Sequence, residues 1–195
     1  MSLSTVWVVC YYLWFGSEVF IAIATRTRHS TGNVRDRGTL VLLWVVIFSS
    51  ITAGMWISEA NGPNVSLGAN VPGGAYWLKL ATLVILISGL ALRWIAVISL
   101  GKSFSSNVAI HETQTVRKTG LYRWMRHPSY TGLLLCLFAV GAHTRNWISL
   151  LVIFIPTLGA LLYRIQVEEV ALREAFGQEY VVYSQKTSRL IPGIY

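Results

Sequence analysis

Four predominantly apolar stretches dominate this chain: Val6 to Ala24, Leu40 to Ser58, Trp77 to Leu100 and Trp147 to Tyr163. A helix needs about 20 apolar residues, within a range of roughly 17–25, to cross a bilayer. All four runs fall in that range. They are continuous rather than alternating, which excludes membrane-barrel strands. A fifth run, Tyr130 to His143, has 14 residues and needs its flanks or protein burial to cross fully. Only Thr144, Arg145 and Asn146 separate it from the last run, which predicts a tight helical hairpin. Composition agrees. Hydrophobic residues make up 54% and charged residues 12%, the latter about half of the roughly 25% usual in soluble domains. Eight Trp and nine Tyr in so apolar a chain suit aromatic belts at membrane interfaces. A soluble globular enzyme, a disordered chain and a solvated coiled coil are excluded.

The charges then set the topology. Arg26, Arg28, Arg35 and Arg37 lie in the first loop, 25–39. Lys102, Arg117, Lys118, Arg123 and Arg126 lie in the third, 101–129. Arg164, Arg173, Lys186 and Arg189 lie in the tail. The second loop, 59–76, has no Lys or Arg, and the hairpin turn has only Arg145. The positive-inside rule therefore places both basic loops and the tail in the cytoplasm and the N-terminus outside. The expected fold is an all-α integral membrane protein with five transmembrane helices, the fourth and fifth forming a hairpin. A cytoplasmic helical extension follows the fifth, up to a cap at Gly177. The whole chain, 1–195, reads as a single membrane domain: three N-terminal spans over 1–100, then loop, hairpin and C-terminal segment over 101–195. No basic n-region precedes the first apolar run, as a cleaved signal peptide would require.

Several chemistries lack their signatures. Cys10 and Cys136 sit in apolar runs and read as small buried hydrophobes. No CxxC pair, Gly-x-Gly turn, HExxH or GxSxG occurs. His111-Glu112 lacks the second His that zinc needs, so no metal is expected. Asn64-Val-Ser66 is formally a glycosylation sequon. The net charge of +8 raises the question of nucleic acid. The basic residues are split among three short segments beside the membrane, however, and orientation explains them without such a partner.

Three places carry candidate chemistry. The third loop ends in Gly120-Leu-Tyr-Arg-Trp-Met-Arg-His-Pro-Ser-Tyr130. Gly120 permits close backbone approach, and Tyr122, Trp124 and Tyr130 offer aromatic faces. Arg126 and His127 offer donors, and Pro128 suits the first turn of the next helix. The segment fits a pocket for a flat polar cofactor with a carboxylate, or alternatively a basic aromatic anchor at the membrane surface. In the tail helix, Arg164 and Glu168 are four residues apart on one face, while Glu169 points about 100° away. Arg164 and Glu168 suit an ion pair. The adjacent carboxylates suit a ribose, an amine or a sulfonium. Glu18 and Arg93 are charges inside spans. They can pair across helices, Arg93 can snorkel to the interface, or the two can serve the substrate.

Taken together, Gly120-Leu-Tyr, Arg126-His-Pro-Ser-Tyr130, the hairpin, Arg164 with Glu168-Glu169, Phe176-Gly-x-x-Tyr180 and Arg189-Leu-Ile-Pro192 resemble the isoprenylcysteine carboxyl methyltransferase family. Phospholipid N-methyltransferases have a related arrangement. The resemblance covers roughly residues 100–195. It implies an integral membrane methyltransferase that uses S-adenosylmethionine on a lipophilic acceptor from the bilayer, such as the carboxylate of a prenylcysteine. It implies a cofactor pocket formed by Gly120, Leu121, Tyr122, Arg126, His127, Pro128, Tyr130 and Glu169, with His111 helping to close it. Arg164 and Glu168 fall where the family places residues close to methyl transfer. The alternatives are a phospholipid or amine N-methyltransferase, an NADPH-dependent sterol-type reductase, and a non-enzymatic lipid-binding membrane protein. The Arg189-Leu-Ile-Pro-Gly-Ile-Tyr195 ending is shared in style with the reductases, whereas Pro128 within its motif favours the methyltransferases.

Overall fold

In a computed structural model of the chain, the described residues are 2–25, 33–34, 38–61, 67, 73–101, 104, 109–110 and 115–194. Their helices are α1 (Leu3–Ala24), α2 (Thr39–Asn61), α3 (Gly74–Leu100), α4 (Pro128–His143), α5 (Trp147–Phe176) and α6 (Gln178–Gln185). α1, α2, α3 and α5 are long and apolar enough to cross a membrane, and α4 is a shorter apolar helix. At 1.5 Å per residue α4 spans about 24 Å, against roughly 30 Å of hydrocarbon. α5 is about 45 Å long, so its last turns outrun its apolar stretch. The all-α expectation holds, with one small addition. Two-residue strands β1 (Asn33–Val34) and β2 (Ala109–Ile110) pair antiparallel. Between helices, backbone N–H and C=O groups still need partners, and the two loops supply them to each other.

The helix ends follow from local sequence. Ser2 accepts a bond from the Thr5 amide at the start of α1. Asn146 Oδ1 accepts from the amides of Ile148 and Ser149, at 2.9 and 3.2 Å, and starts α5. Such caps contribute about 1 kcal/mol each. Pro128 opens α4, where its missing N–H leaves nothing unpaired. Gly177 ends α5 at φ 52°, a left-handed value that favours glycine.

Packing is layered. α3 lies along α4, α2 along α5, α4 against α5, and α1 mainly on α3. Trp14, Leu86, Leu137, Ile153, Leu161 and Ile165 form the centre of the core. The outside is also apolar, with Leu13, Ile23, Val41, Trp56 and Ile98 exposed. In water such a surface invites association; in hydrocarbon it is the solvent-matched face. α3 and α4 cross at Gly89 and Gly132. A Cβ on Gly132 would lie 2.7 Å from the Arg93 amide nitrogen and the Gly89 carbonyl oxygen. The backbones touch, as small-residue crossings in membranes allow. Gly141 makes a similar approach to Leu150, whereas Gly159 faces open space.

The loops sort into two ends. β1 and β2 join the first and third loops at one end. At that same end the tail meets the third loop through an isolated parallel bridge, Met125 to Ser188. At the other end, the Leu67 amide donates to the Arg145 carbonyl at 2.6 Å, and Ser58 Oγ to the Thr144 carbonyl at 3.2 Å. The second loop and the hairpin turn thus lie together.

Candidate functional site

The site forms where the loop before α4, the end of α5 and the tail converge. Backbone bonds sew them together. Arg126 and His127 amides donate to the Ser188 and Arg189 carbonyls at 2.8 and 3.0 Å, and the Ser188 amide donates to Trp124 O at 3.2 Å. Thr131 Oγ1 donates to Leu190 O at 2.8 Å. Beside this seam a 3-10 turn, Gly120–Arg123, begins at Gly120 with φ 63°. Its Tyr122 is buried, donates to Ala96 O at 3.2 Å, and accepts the Tyr183 hydroxyl on its own carbonyl at 2.7 Å. Tyr122 therefore fastens the turn between α3 and α6 rather than offering a free aromatic face. Leu121 is half-buried next to it.

Glu168 and Glu169 serve two different networks. Glu169, almost fully buried, receives Arg126 Nε at 2.8 Å, and Arg173 and Arg189 at 3.2 Å each. Arg126 also donates to Ser184 O at 2.8 Å and to Thr187 O. Burial opposes the charged form of Glu169. The polar and charged contacts of His127 and Arg126 outweigh it and hold the carboxyl at about 2, beyond the apolar stretch of α5. Glu168 accepts the Tyr130 hydroxyl at 2.7 Å, and that hydroxyl accepts Arg164 Nε at 3.0 Å. Arg164 Nη1 reaches Thr39 on α2 at 2.8 Å. The expected Arg164–Glu168 face is thus bridged by a phenol. His127 stands between the networks, with Nδ1 3.9 Å from Glu168 and Nε2 3.5 Å from Glu169. Its ring stacks on Tyr130, centroids 5.6 Å apart. Its Nε2 and the Tyr180 hydroxyl are buried without a hydrogen-bond partner among the described residues. Burial, then the charges of Glu169 and Glu168, raise Tyr180 well above the usual phenol range.

Two spaces adjoin these groups. A cavity of about 40 Å³ lies below Tyr130 and Arg164, bounded by Glu18, Arg93, Leu43 and Leu133. Ala22, Leu40 and Trp44 border both this cavity and an open apolar groove of about 710 Å³ between α1 and α2.

Of the candidate residues, the structure brings Arg126, His127, Tyr130, Arg164, Glu168 and Glu169 into one connected cluster. Pro128 sits within the cluster as the first residue of α4. Gly120, Leu121 and Tyr122 form its flank, and His111 lies outside the described residues. Sequence reasoning missed Thr39, Arg173 and Arg189 as site residues. Arg173 follows Glu169 at helical i,i+4 spacing, a readable signal. Thr39 and Arg189 reach the site only through tertiary folding.

The apolar exterior, the long spans and this charged, half-enclosed end together define an integral membrane protein with a polar site opening onto a lipid-facing groove. Residues 81–174 match the isoprenylcysteine carboxyl methyltransferase family. This match agrees with the resemblance read from the sequence. A probable protein-S-isoprenylcysteine O-methyltransferase of Oryza sativa subsp. indica is 36% identical over 124 residues, which is 61% of this chain and 64% of the rice protein. The protein-S-isoprenylcysteine O-methyltransferase of Saccharomyces cerevisiae is 38% identical over 60% of this chain and 51% of its own length. The chain therefore matches less than two thirds of the length of these relatives. The solved structure of a eukaryotic intramembrane Ras methyltransferase, an isoprenylcysteine carboxyl methyltransferase, superposes with a TM-score of 0.61 at 27% identity. It covers 77% of this chain and 52% of the solved one.

Proposed function

We propose that this protein is an S-adenosylmethionine-dependent methyltransferase acting on the carboxylate of a prenylcysteine-like acceptor within the bilayer. The observation that carries the reading is the paired network. One buried glutamate gathers three guanidiniums, and beside it an arginine–tyrosine–glutamate relay borders a cavity next to a lipid-facing groove.

The residues fit the cofactor's chemistry. Arg126, Arg173 and Arg189 suit its carboxylate, and Glu169 keeps their heads in one place. The unpartnered His127 Nε2 and Tyr180 hydroxyl offer hydrogen bonds, and the His127 and Tyr130 rings offer faces for a purine. Gly120, Leu121, Tyr122 and Pro128 shape the wall, and His111 is proposed to help close it. When bound, S-adenosylmethionine would supply an activated methyl group on a sulfonium for transfer to an acceptor oxygen, with S-adenosylhomocysteine as the leaving product. A carboxylate acceptor is ionised at neutral pH and needs no strong base. Arg164 orients it, and Glu168, through Tyr130, fixes the guanidinium. For an amine acceptor Glu168 would instead take up the proton. The acceptor's chain lies in the groove between α1 and α2, entering from the side. The count of five spans, with the third loop and tail in the cytoplasm, belongs to this reading. Its support is the sorting of basic segments to one end of the helices.

Calorimetry on detergent-purified protein tests the cofactor. S-Adenosylhomocysteine is expected to bind saturably and NADPH not at all. The reverse pattern supports the reductase alternative, and binding of neither supports a lipid-binding protein.

A further inference from the structure

Glu18 lies outside the segment that matches the family and Arg93 inside it, and both sit beside the site. Both are buried. Arg93 pairs with Glu18 along one edge of its guanidinium: Nη2 donates to Oε2 at 2.5 Å, while Nε and Oε1 are in charge contact without hydrogen-bond geometry. Its third nitrogen, Nη1, donates to the Ser129 carbonyl at 3.1 Å and to Ser129 Oγ at 2.8 Å. Ser129 immediately precedes Tyr130 in the first turn of α4. The Gly89–Gly132 crossing brings the α3 backbone close enough for this reach. A chain of polar contacts thus runs from α1 through α3 to the residue beside the phenol that bridges Arg164 and Glu168.

We propose that Glu18 and Arg93 are positioning residues for the transfer reaction. They clamp the first turn of α4 through Ser129 and so set where the Tyr130 hydroxyl holds Arg164 and Glu168. The proposal rests on the methyltransferase reading above. Its physical basis is the planar guanidinium fork. With Glu18 set against one edge of the planar fork, the remaining nitrogen has a fixed direction. An exposed bridge of the same composition would be too mobile to fix anything. Lysine, a single ammonium on a flexible stem, can keep the charge pair but cannot hold Glu18 and Ser129 together in the same geometry. A purely stabilising role predicts that turnover follows stability. A positioning role predicts that the two separate, because small displacements of a reacting group cost rate far more than they cost folding.

The test compares wild type, Arg93→Lys, Glu18→Gln and Ser129→Ala in detergent. The readouts are thermal melting, the S-adenosylhomocysteine dissociation constant, and kcat and KM for farnesylcysteine methylation. We expect Arg93→Lys and Ser129→Ala to melt near wild type, to bind S-adenosylhomocysteine within about twofold, and to lose kcat by roughly 10- to 100-fold at little-changed KM. Glu18→Gln is expected to lose both stability and kcat, since it leaves a buried guanidinium unbalanced. Wild-type kcat in Arg93→Lys and Ser129→Ala overturns the proposal, as does a loss that merely tracks melting temperature. If wild type itself neither binds S-adenosylhomocysteine nor methylates the acceptor, the methyltransferase reading fails and this proposal falls with it.

Discussion

Glu168 and Glu169 are neighbours in the chain, yet a helix turns them about 100° apart. Glu169 faces three arginines and is almost fully buried. Replacing it with Gln leaves those guanidiniums without their common anion, and removing one partner of a buried pair costs about 3 kcal/mol or more. Glu169→Gln is therefore expected to melt several degrees lower and to lose S-adenosylhomocysteine binding; a thermal-shift titration reads both. Tyr130→Phe keeps the ring against His127 but removes the hydroxyl shared by Arg164 and Glu168. It is expected to bind S-adenosylhomocysteine normally and to turn over roughly 10- to 100-fold more slowly, measured as kcat. Both glutamates and Arg164 were legible because adjacent carboxylates are conspicuous in a chain with only eight acidic residues. Arg189 lies 20 residues from Glu169, and Thr39 lies 125 residues from Arg164. No local pattern connects positions so far apart.

At the scale of elements, hydropathy is local and so is what it revealed. The long apolar helices, the proline that opens α4 and the glycine that closes α5 all appear in short windows of sequence. Partner choice does not. Nothing in the apolar runs themselves says that α2 lies along α5; for α1 on α3 the one readable signal is the pair of charges inside spans, Glu18 and Arg93. The α3–α4 crossing offers a sharp test. Gly132→Ala puts a methyl group 2.7 Å from backbone atoms of α3. It is expected to destabilise by about 1–3 kcal/mol and to lower melting temperature and turnover together. Gly159→Ala faces open space and is expected to leave melting unchanged or to raise it slightly, since alanine favours helix. Thermal melts of the two variants side by side check the contrast.

Across the whole molecule, the contacts divide the loops between two ends, and the basic segments share one of them. The division was legible from charge alone, because thirteen of the 16 basic residues fall in two loops and the tail. The groove between α1 and α2 was not, since it depends on how the first spans splay. On a background without Cys10 and Cys136, a cysteine at Lys118 is expected to react with a membrane-impermeant maleimide only from the cytoplasmic side. A cysteine at Asn61, exposed at the opposite end, is expected to react only from the other side. Labelling of both from one side would contradict the proposed arrangement. The central claim, methyl transfer to a lipid-borne carboxylate, is tested most directly by supplying purified protein in liposomes with methyl-labelled S-adenosylmethionine and farnesylcysteine. The account predicts label in a base-labile methyl ester of the acceptor, lost in Arg164→Ala. Label that stays on the cofactor, or equal ester formation by Arg164→Ala, would contradict it.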